Sequence, residues 1–410
     1  MASVTLPRLR PGLDIFPSPS PEHPGIVIRD PFNYSDAILV IPPIWVLALQ
    51  CLDGEQTERD VQAVLMRQIG QIVPSEAIQT FVQALQSNGF LESDEFFAMR
   101  DQRHREFRDA AVRLPAHAGQ AYPEDEGGVR ETMERYFAGQ GACAAGEALT
   151  GIAAPHVSPE GGWQSYAAAY RKASPDLADR TFVILGTSHR GEPEKFGLTR
   201  KSYETPLGSA IVNTALLDTL VKRAPAAVIE EDYCHSFEHT IEFQVLFLQY
   251  VMGRPIQVLP ILCGPFFDSL NTHRPPESQD AVRAFFDALG EMGAKHGNKL
   301  FWVLGIDMAH IGARYGNDYE AVADTGPMLE VAARDKTRLE RVCAGDAGGF
   351  LDLVTPNGDD LNWCGYSALY TFLRAMPQAR GRVLRYEQWN IDPQSVVSFA
   401  GMAFSTDSLK

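Results

Sequence analysis

Histidine is scarce in this chain, ten in 410 residues, and three of the ten follow apolar runs that read as β-strands. TGIAA at 150–154 runs into Pro155-His156, TFVILG at 181–186 into Thr187-Ser188-His189, and FWVLGI at 301–306 into Asp307-Met308-Ala309-His310. Imidazole is the commonest protein ligand for a transition metal and a ready proton carrier near neutral pH. A neighbouring carboxylate, here Asp307, can ligate an ion or orient a ligand from behind. Cys364 stands where a loop gives way to an amphipathic helix striped with Tyr366, Leu369, Phe372 and Leu373. Unpaired N–H groups and the dipole at a helix start favour thiolate, the form that binds metal. A His/His/Cys set suits iron, copper or zinc, not magnesium or calcium. Spacing does not choose among the three.

A second cluster lies in CHSFEHTIEFQ, with His235, Glu238, His239 and Glu242. On one continuous helix Glu238 and Glu242 share a face, as do His235 and His239. The string is not H-E-x-x-H, because His239 directly follows Glu238. Its expected role is proton transfer or substrate positioning beside a metal.

These residues need a frame to bring them together. From about residue 148 apolar strands (150–154, 181–186, 256–263, 301–306, then RVLRYEQ and VVSFAGMAF) alternate with amphipathic helices. That texture predicts an α/β fold, a mostly parallel sheet covered on both faces by helices. Ligands in such sheets sit outside the carboxyl ends of the strands, where His156, His189, Asp307 and His310 stand.

The earlier chain has a different character. Residues 1–24 hold six prolines and read as an irregular arm. Residues 25–100 read as a small winged-helix-like domain, with one helix after the Thr57-Glu58 capping signal and another closed by Asn88-Gly89. Residues 101–147 are charged and read as a helical linker, leaving 148–410 as the metal-binding domain. Thr205-Pro206-Leu207-Gly208 reads as a turn. Glu230-Glu231 and Asp359-Asp360 read as solvated loop faces.

Composition narrows the function. Of the residues, 45% are hydrophobic and 21% charged, a globular balance that excludes a disordered or collagen-like chain. The net charge of −16 repels a phosphate backbone, so nucleic-acid binding is not expected. Six scattered cysteines with no C-x-x-C pair suit a reduced, cytoplasmic protein, the five besides Cys364 reading as structural. Residues 37–52, AILVIPPIWVLALQCL, are too short to span a bilayer and are broken by Pro42-Pro43; they read as a buried strand, turn and helix.

Over about residues 148–405 the blocks APH, GTSH, YETPLG, HSFEHTIEFQVLFL, DMAH and WCG, in that order, resemble the Memo family, including the members called AmmeMemoRadiSam system protein B. That family is similar to the class III extradiol dioxygenases of LigB type, which use mononuclear non-haem iron. The resemblance implies a metal pocket of His156, His189 and Cys364, with Asp307, His310 and His239 nearby. It also implies a pathway shared with a radical-SAM partner. Three departures stand out. Cys364 occupies the place of a glutamate in the dioxygenases; Gly305-Ile306-Asp307-Met308-Ala309-His310 stands where many relatives read S-S-D-x-S-H; and Leu246 replaces a proline before Phe247. The LDGEQTERDV block and LQSNGFLES resemble the PqqD-like winged helix, a module that recognises peptides by strand addition.

The expected protein is a mononuclear metal protein, most simply with Fe(II) and alternatively with Cu or Zn. It would act as an oxygenase-type oxidoreductase on a peptide or small molecule. His239, His310, Asp307 and Glu238 would serve as acid, base or orienting groups. The alternatives are a non-catalytic peptide-binding adaptor or a copper- or iron-handling protein, and a zinc hydrolase at the same residues.

Overall fold

Buried on both faces, a parallel strand must be apolar at nearly every position. Thr181–Thr187, Ile256–Cys263 and Leu300–Gly305 meet that demand, with no residue exposed apart from Gln257. The computed structural model describes residues 5–138 and 148–406. The chain divides between Asp109 and Ala110 into two compact units.

The first unit begins with three short antiparallel strands, β1 (Asp14–Pro17), β2 (Ile26–Arg29) and β3 (Ile38–Ile41). Helices α1 (Val46–Gln50), α2 (Glu58–Ile69), α3 (Ser75–Ser87) and α4 (Asp94–Asp109) follow. Thr57 caps α2 through a reciprocal pair of bonds with Asp60. Residues 37–52 form β3, a short 3-10 turn and α1, but the strand is not buried as expected: Ile41 faces the core while Ile38 and Val40 are exposed. The arm is not irregular throughout, since Ile15 and Phe16 pair with Ile28 and Val27 in the sheet. Just after Gly89, Leu91 makes one antiparallel bridge to Leu9. Sheet first and helices after is not the order of a clear winged helix; the unit is a small three-stranded sheet followed by helices.

The second unit carries β4 (Val112–Arg113), α5 (Glu126–Phe137), β5 (Gly151–Ala154), α6 (Pro159–Tyr170), β6 (Thr181–Thr187), β7 (Phe196–Leu198), β8 (Ser202–Thr205) and β9 (Gly208–Val212). After these come α7 (Thr214–Arg223), β10 (Val228–Glu230), α8 (His239–Met252), β11 (Ile256–Cys263), α9 (Phe267–Thr272), α10 (Asp280–His296), β12 (Leu300–Gly305) and β13 (His310–Gly312). The chain ends with α11 (Pro327–Cys343), α12 (Ala347–Val354), α13 (Tyr366–Ala375), β14 (Arg380–Asp392) and β15 (Ser395–Ser405). At the centre of a twelve-stranded sheet, β5, β12, β6, β11 and β9 run parallel in that order. The last two expected strands exist but form an antiparallel hairpin, with β15 laid antiparallel on β5.

Residues from 110 on are no linker. Arg113 is buried in β4, which pairs with β8, and Val129, Met133 and Tyr136 of α5 join the main core. A guanidinium withdrawn from water needs a buried partner, and it finds one in Glu242 of α8. Residues 139–147, with Cys143 and the rest of the expected linker, lie outside the described residues. Among those described, no helix is long and apolar enough to cross a membrane.

Candidate metal centre

The site is organised by α8, a helix so apolar all round that it lies inside the unit. Its few polar residues each tie down one neighbouring segment. Thr240 Oγ1 donates to the Thr187 carbonyl at the end of β6 (2.9 Å), and Gln244 Nε2 to the Pro155 carbonyl beside His156 (2.8 Å). Glu242 accepts from Arg113, from the backbone N–H groups of Ala116 and His117, and from Tyr122. The helix start approaches the strand ends because each carries a glycine there, Gly305 last in β12 and Gly186 next to last in β6. A Cβ on Gly305 would stand 2.3 Å from the Thr240 carbonyl oxygen, and one on Gly186 2.5 Å from its hydroxyl.

Three imidazoles meet there. One ring nitrogen from each of His156, His189 and His239 lies within 4.8 Å of the others. His156 is buried, while the side chains of His189 and His239 are 33% and 31% exposed. His156 Nδ1 faces the Gly305 carbonyl at 2.9 Å, so it carries the proton and leaves Nε2 as a lone pair. His189 Nδ1 and His239 Nδ1 both lie against the Glu238 carboxylate, at 3.1 and 3.0 Å. Each ring thus engages one nitrogen behind the site and keeps the other for a ligand, the arrangement found around protein-bound metals. The donor chemistry fits a transition metal, and His156, His189 and His239 can hold one.

Burial and the neighbouring imidazoles push His156 well below its ordinary basicity. Burial also lowers His239, against the opposing pull of Glu238. At His189 withdrawal from water acts the same way, but Glu238 outweighs it and the ring is raised. Burial opposes ionisation of Glu238 too, yet His189 and His239 hold it well below the usual carboxylate range. Asp307 is pushed up to about 7 by burial, although the His156 N–H donates to it at 2.9 Å.

Cys364 Sγ lies 3.2 Å from His156 Nε2, near the separation of roughly 3.5 Å kept by nitrogen and sulfur ligands on one tetrahedral ion. The expected thiolate does not form unaided. Cys364 precedes Gly365, the residue that opens α13, and burial and Asp307 push its thiol well above the ordinary value. With His156 Nε2 unprotonated, the S–H donates to it.

His310 stands apart from the three-nitrogen group. Its Nδ1 lies 2.9 Å from the Met308 carbonyl and 3.1 Å from that of Asn362, and burial lowers it to about 4. His235 leaves the site altogether. It sits in a 3-10 turn before α8, bonded to Tyr203 and the Gly197 carbonyl in the core. The expected shared helix face fails for the same reason: Glu238 is the N-cap of α8, not a residue of its interior. Glu238 therefore turns to the histidines while Glu242 turns to Arg113. Thr205–Gly208 is the β8–β9 turn, held by Gln249. Asp359 is buried on Arg338, not solvated. The sequence reading missed Arg113, His117, Tyr122 and Gln244. The available signal was Glu242, a carboxylate in an otherwise apolar helix that had to find a cation.

A cavity of about 300 Å³ opens beside His189 and Cys364, walled by Phe266, Phe267, Leu270 and Trp363. It gives a small molecule or side chain a place next to the ligands.

A family model described as Memo-like protein matches residues 113–403. A MEMO1 family protein of Aquifex aeolicus is 24% identical over 92% of this chain and 95% of its own length. One from Methanopyrus kandleri is 27% identical over 71% of this chain and 98% of its own. One from Thermus thermophilus is 25% identical over 81% and 93%. With the match spanning most of the chain, from Arg113 in β4 into β15, this protein belongs to the Memo family.

Proposed function

We propose that the protein is a mononuclear metal enzyme of oxidoreductase type, using Fe(II) and acting on a small molecule or peptide side chain seated in the cavity beside His189. The observation that carries this reading is the single Glu238 carboxylate orienting both His189 and His239 toward His156. A bound Fe(II) would supply Lewis acidity and one-electron exchange with oxygen. The chain's own contribution is to hold the rings, exclude water along the apolar wall, and place proton carriers. Asp307, with a carboxyl poised near neutrality, and His310 are the groups for proton movement.

Cys364 favours a second reading. If its sulfur and all three imidazole nitrogens close the coordination sphere, no position is left for substrate, and the protein stores or passes on iron or copper. Purification without oxygen, followed by elemental analysis and oxygen uptake, separates the two. About one iron per chain, lost in His156→Ala and His189→Ala, with uptake on admitting oxygen and a reductant, supports the enzyme. Stoichiometric metal with no uptake and no exogenous ligand bound favours storage. Full occupancy in both variants sinks the site.

A further inference from the structure

Cys364 and the Asp307–His310 segment come from distant parts of the chain, and one buried carboxylate outside the metal pocket joins them. Asp335, on α11, is fully buried and accepts from three neutral donors: the Trp363 indole Nε1 (2.7 Å), the Ser398 hydroxyl (2.6 Å) and the Tyr386 hydroxyl (2.8 Å). Trp363 immediately precedes Cys364. Ser398 Oγ in turn accepts the Ala309 N–H (2.9 Å), and the Ser398 backbone brackets the same segment by bonds to Met308 and Ala309. Three residues further along the same face of α11, Arg338 lies over the Trp363 ring and pairs with Asp359. Asp359 then accepts the Trp363 N–H at 2.6 Å. Trp363 is thus held at its indole N–H, its ring face and its backbone.

We propose that Asp335 is a positioning residue for the metal centre, fixing Cys364 through the Trp363 indole and the Asp307–His310 segment through Ser398. The assignment of function to this centre rests on the preceding reading, but the positioning itself does not. A carboxylate is suited to this place because all of its capacity is acceptor. An amide there would turn N–H groups toward hydroxyls that already donate.

The test uses the full chain in metal-free form and follows alkylation of Cys364 by iodoacetamide, with Cys364→Ser giving the background from the other cysteines. Asp335→Leu and Trp363→Phe both break the indole bond, the first by removing its acceptor and the second while leaving a ring in place. Val342→Ala in the same helix serves as a control for lost stability. Each broken bond to a buried charge is expected to speed Cys364 labelling about tenfold, with the control near wild type. Ser398→Ala should leave the label rate near wild type, because it cuts only the other branch. In the Co(II)-loaded protein the thiolate-to-cobalt absorption should weaken in Asp335→Leu and Trp363→Phe but not in Val342→Ala. Unchanged labelling in folded Asp335→Leu and Trp363→Phe, or equal acceleration in Val342→Ala, overturns the proposal. A wild type that binds no cobalt removes the metal reading alone, since the labelling rates still decide the role of Asp335.

Discussion

The sulfur of Cys364 stands 3.2 Å from Nε2 of His156, and in the ion-free protein the two share the thiol proton. Metal binding through that sulfur must expel the proton. Because the free thiol is raised, below its titration each unit of rising pH should tighten binding by about tenfold from this group alone. Calorimetry in buffers of different ionisation heat should count about one proton fewer released per ion in Cys364→Ser. Equal release from the two proteins would show that the sulfur is not a ligand.

Glu238→Gln keeps a side-chain oxygen to cap α8 but cannot accept from both His189 and His239. Chelator competition should show metal affinity reduced about 10- to 100-fold. The thermal midpoint should move little. An unchanged affinity would mean the two rings are oriented by packing alone.

Glu242 is held far below its ordinary range: burial opposes ionisation, but Arg113 and His117 outweigh it. A carboxylate with a depressed folded pKa contributes its full stability above its unfolded value, and loses it as pH falls toward the folded one. Glu242→Gln should therefore cost about 3–5 kcal/mol at neutral pH in urea unfolding, because Arg113 is left buried without its partner. The gap to wild type should begin to narrow below about pH 4.5 and keep narrowing in stronger acid. A pH-independent gap would contradict the ion pair.

Gly305→Ala places a methyl 2.3 Å from the Thr240 carbonyl oxygen, backbone against backbone. Neither side can yield cheaply, so α8 must retreat from β12. Overpacking of this kind costs about 1–3 kcal/mol. Since His239 opens α8, metal affinity should fall with it. Wild-type affinity in a destabilised Gly305→Ala protein would detach His239 from the ligand set.

The strands were legible because parallel strands buried on both faces are continuous apolar runs, and β11 coincides with IQVLPILC. His156, His189, Asp307 and Glu238 were legible as strand-end or cluster residues, because chain direction decides which end of the sheet they occupy. The antiparallel return of β14 and β15 was not, since alternation of strand and helix says nothing about a closing hairpin. Nor was the orientation of His235. One turn of 3-10 helix before α8 sends it into the core, and helical spacing cannot anticipate where a helix starts. The segment around Arg113 looked like a linker because its charges are dense. Burial of Arg113 is decided by a partner 129 positions away.

That distant pairing also sets how little of the chain can fold alone. A protein starting at residue 148 would retain all of the sheet but β4, with α8 and every histidine of the centre, yet it would seal a carboxylate in its interior with no cation to neutralise it. Such a fragment should be recovered as aggregate, whereas one starting at Ala110 should be soluble and resist limited proteolysis.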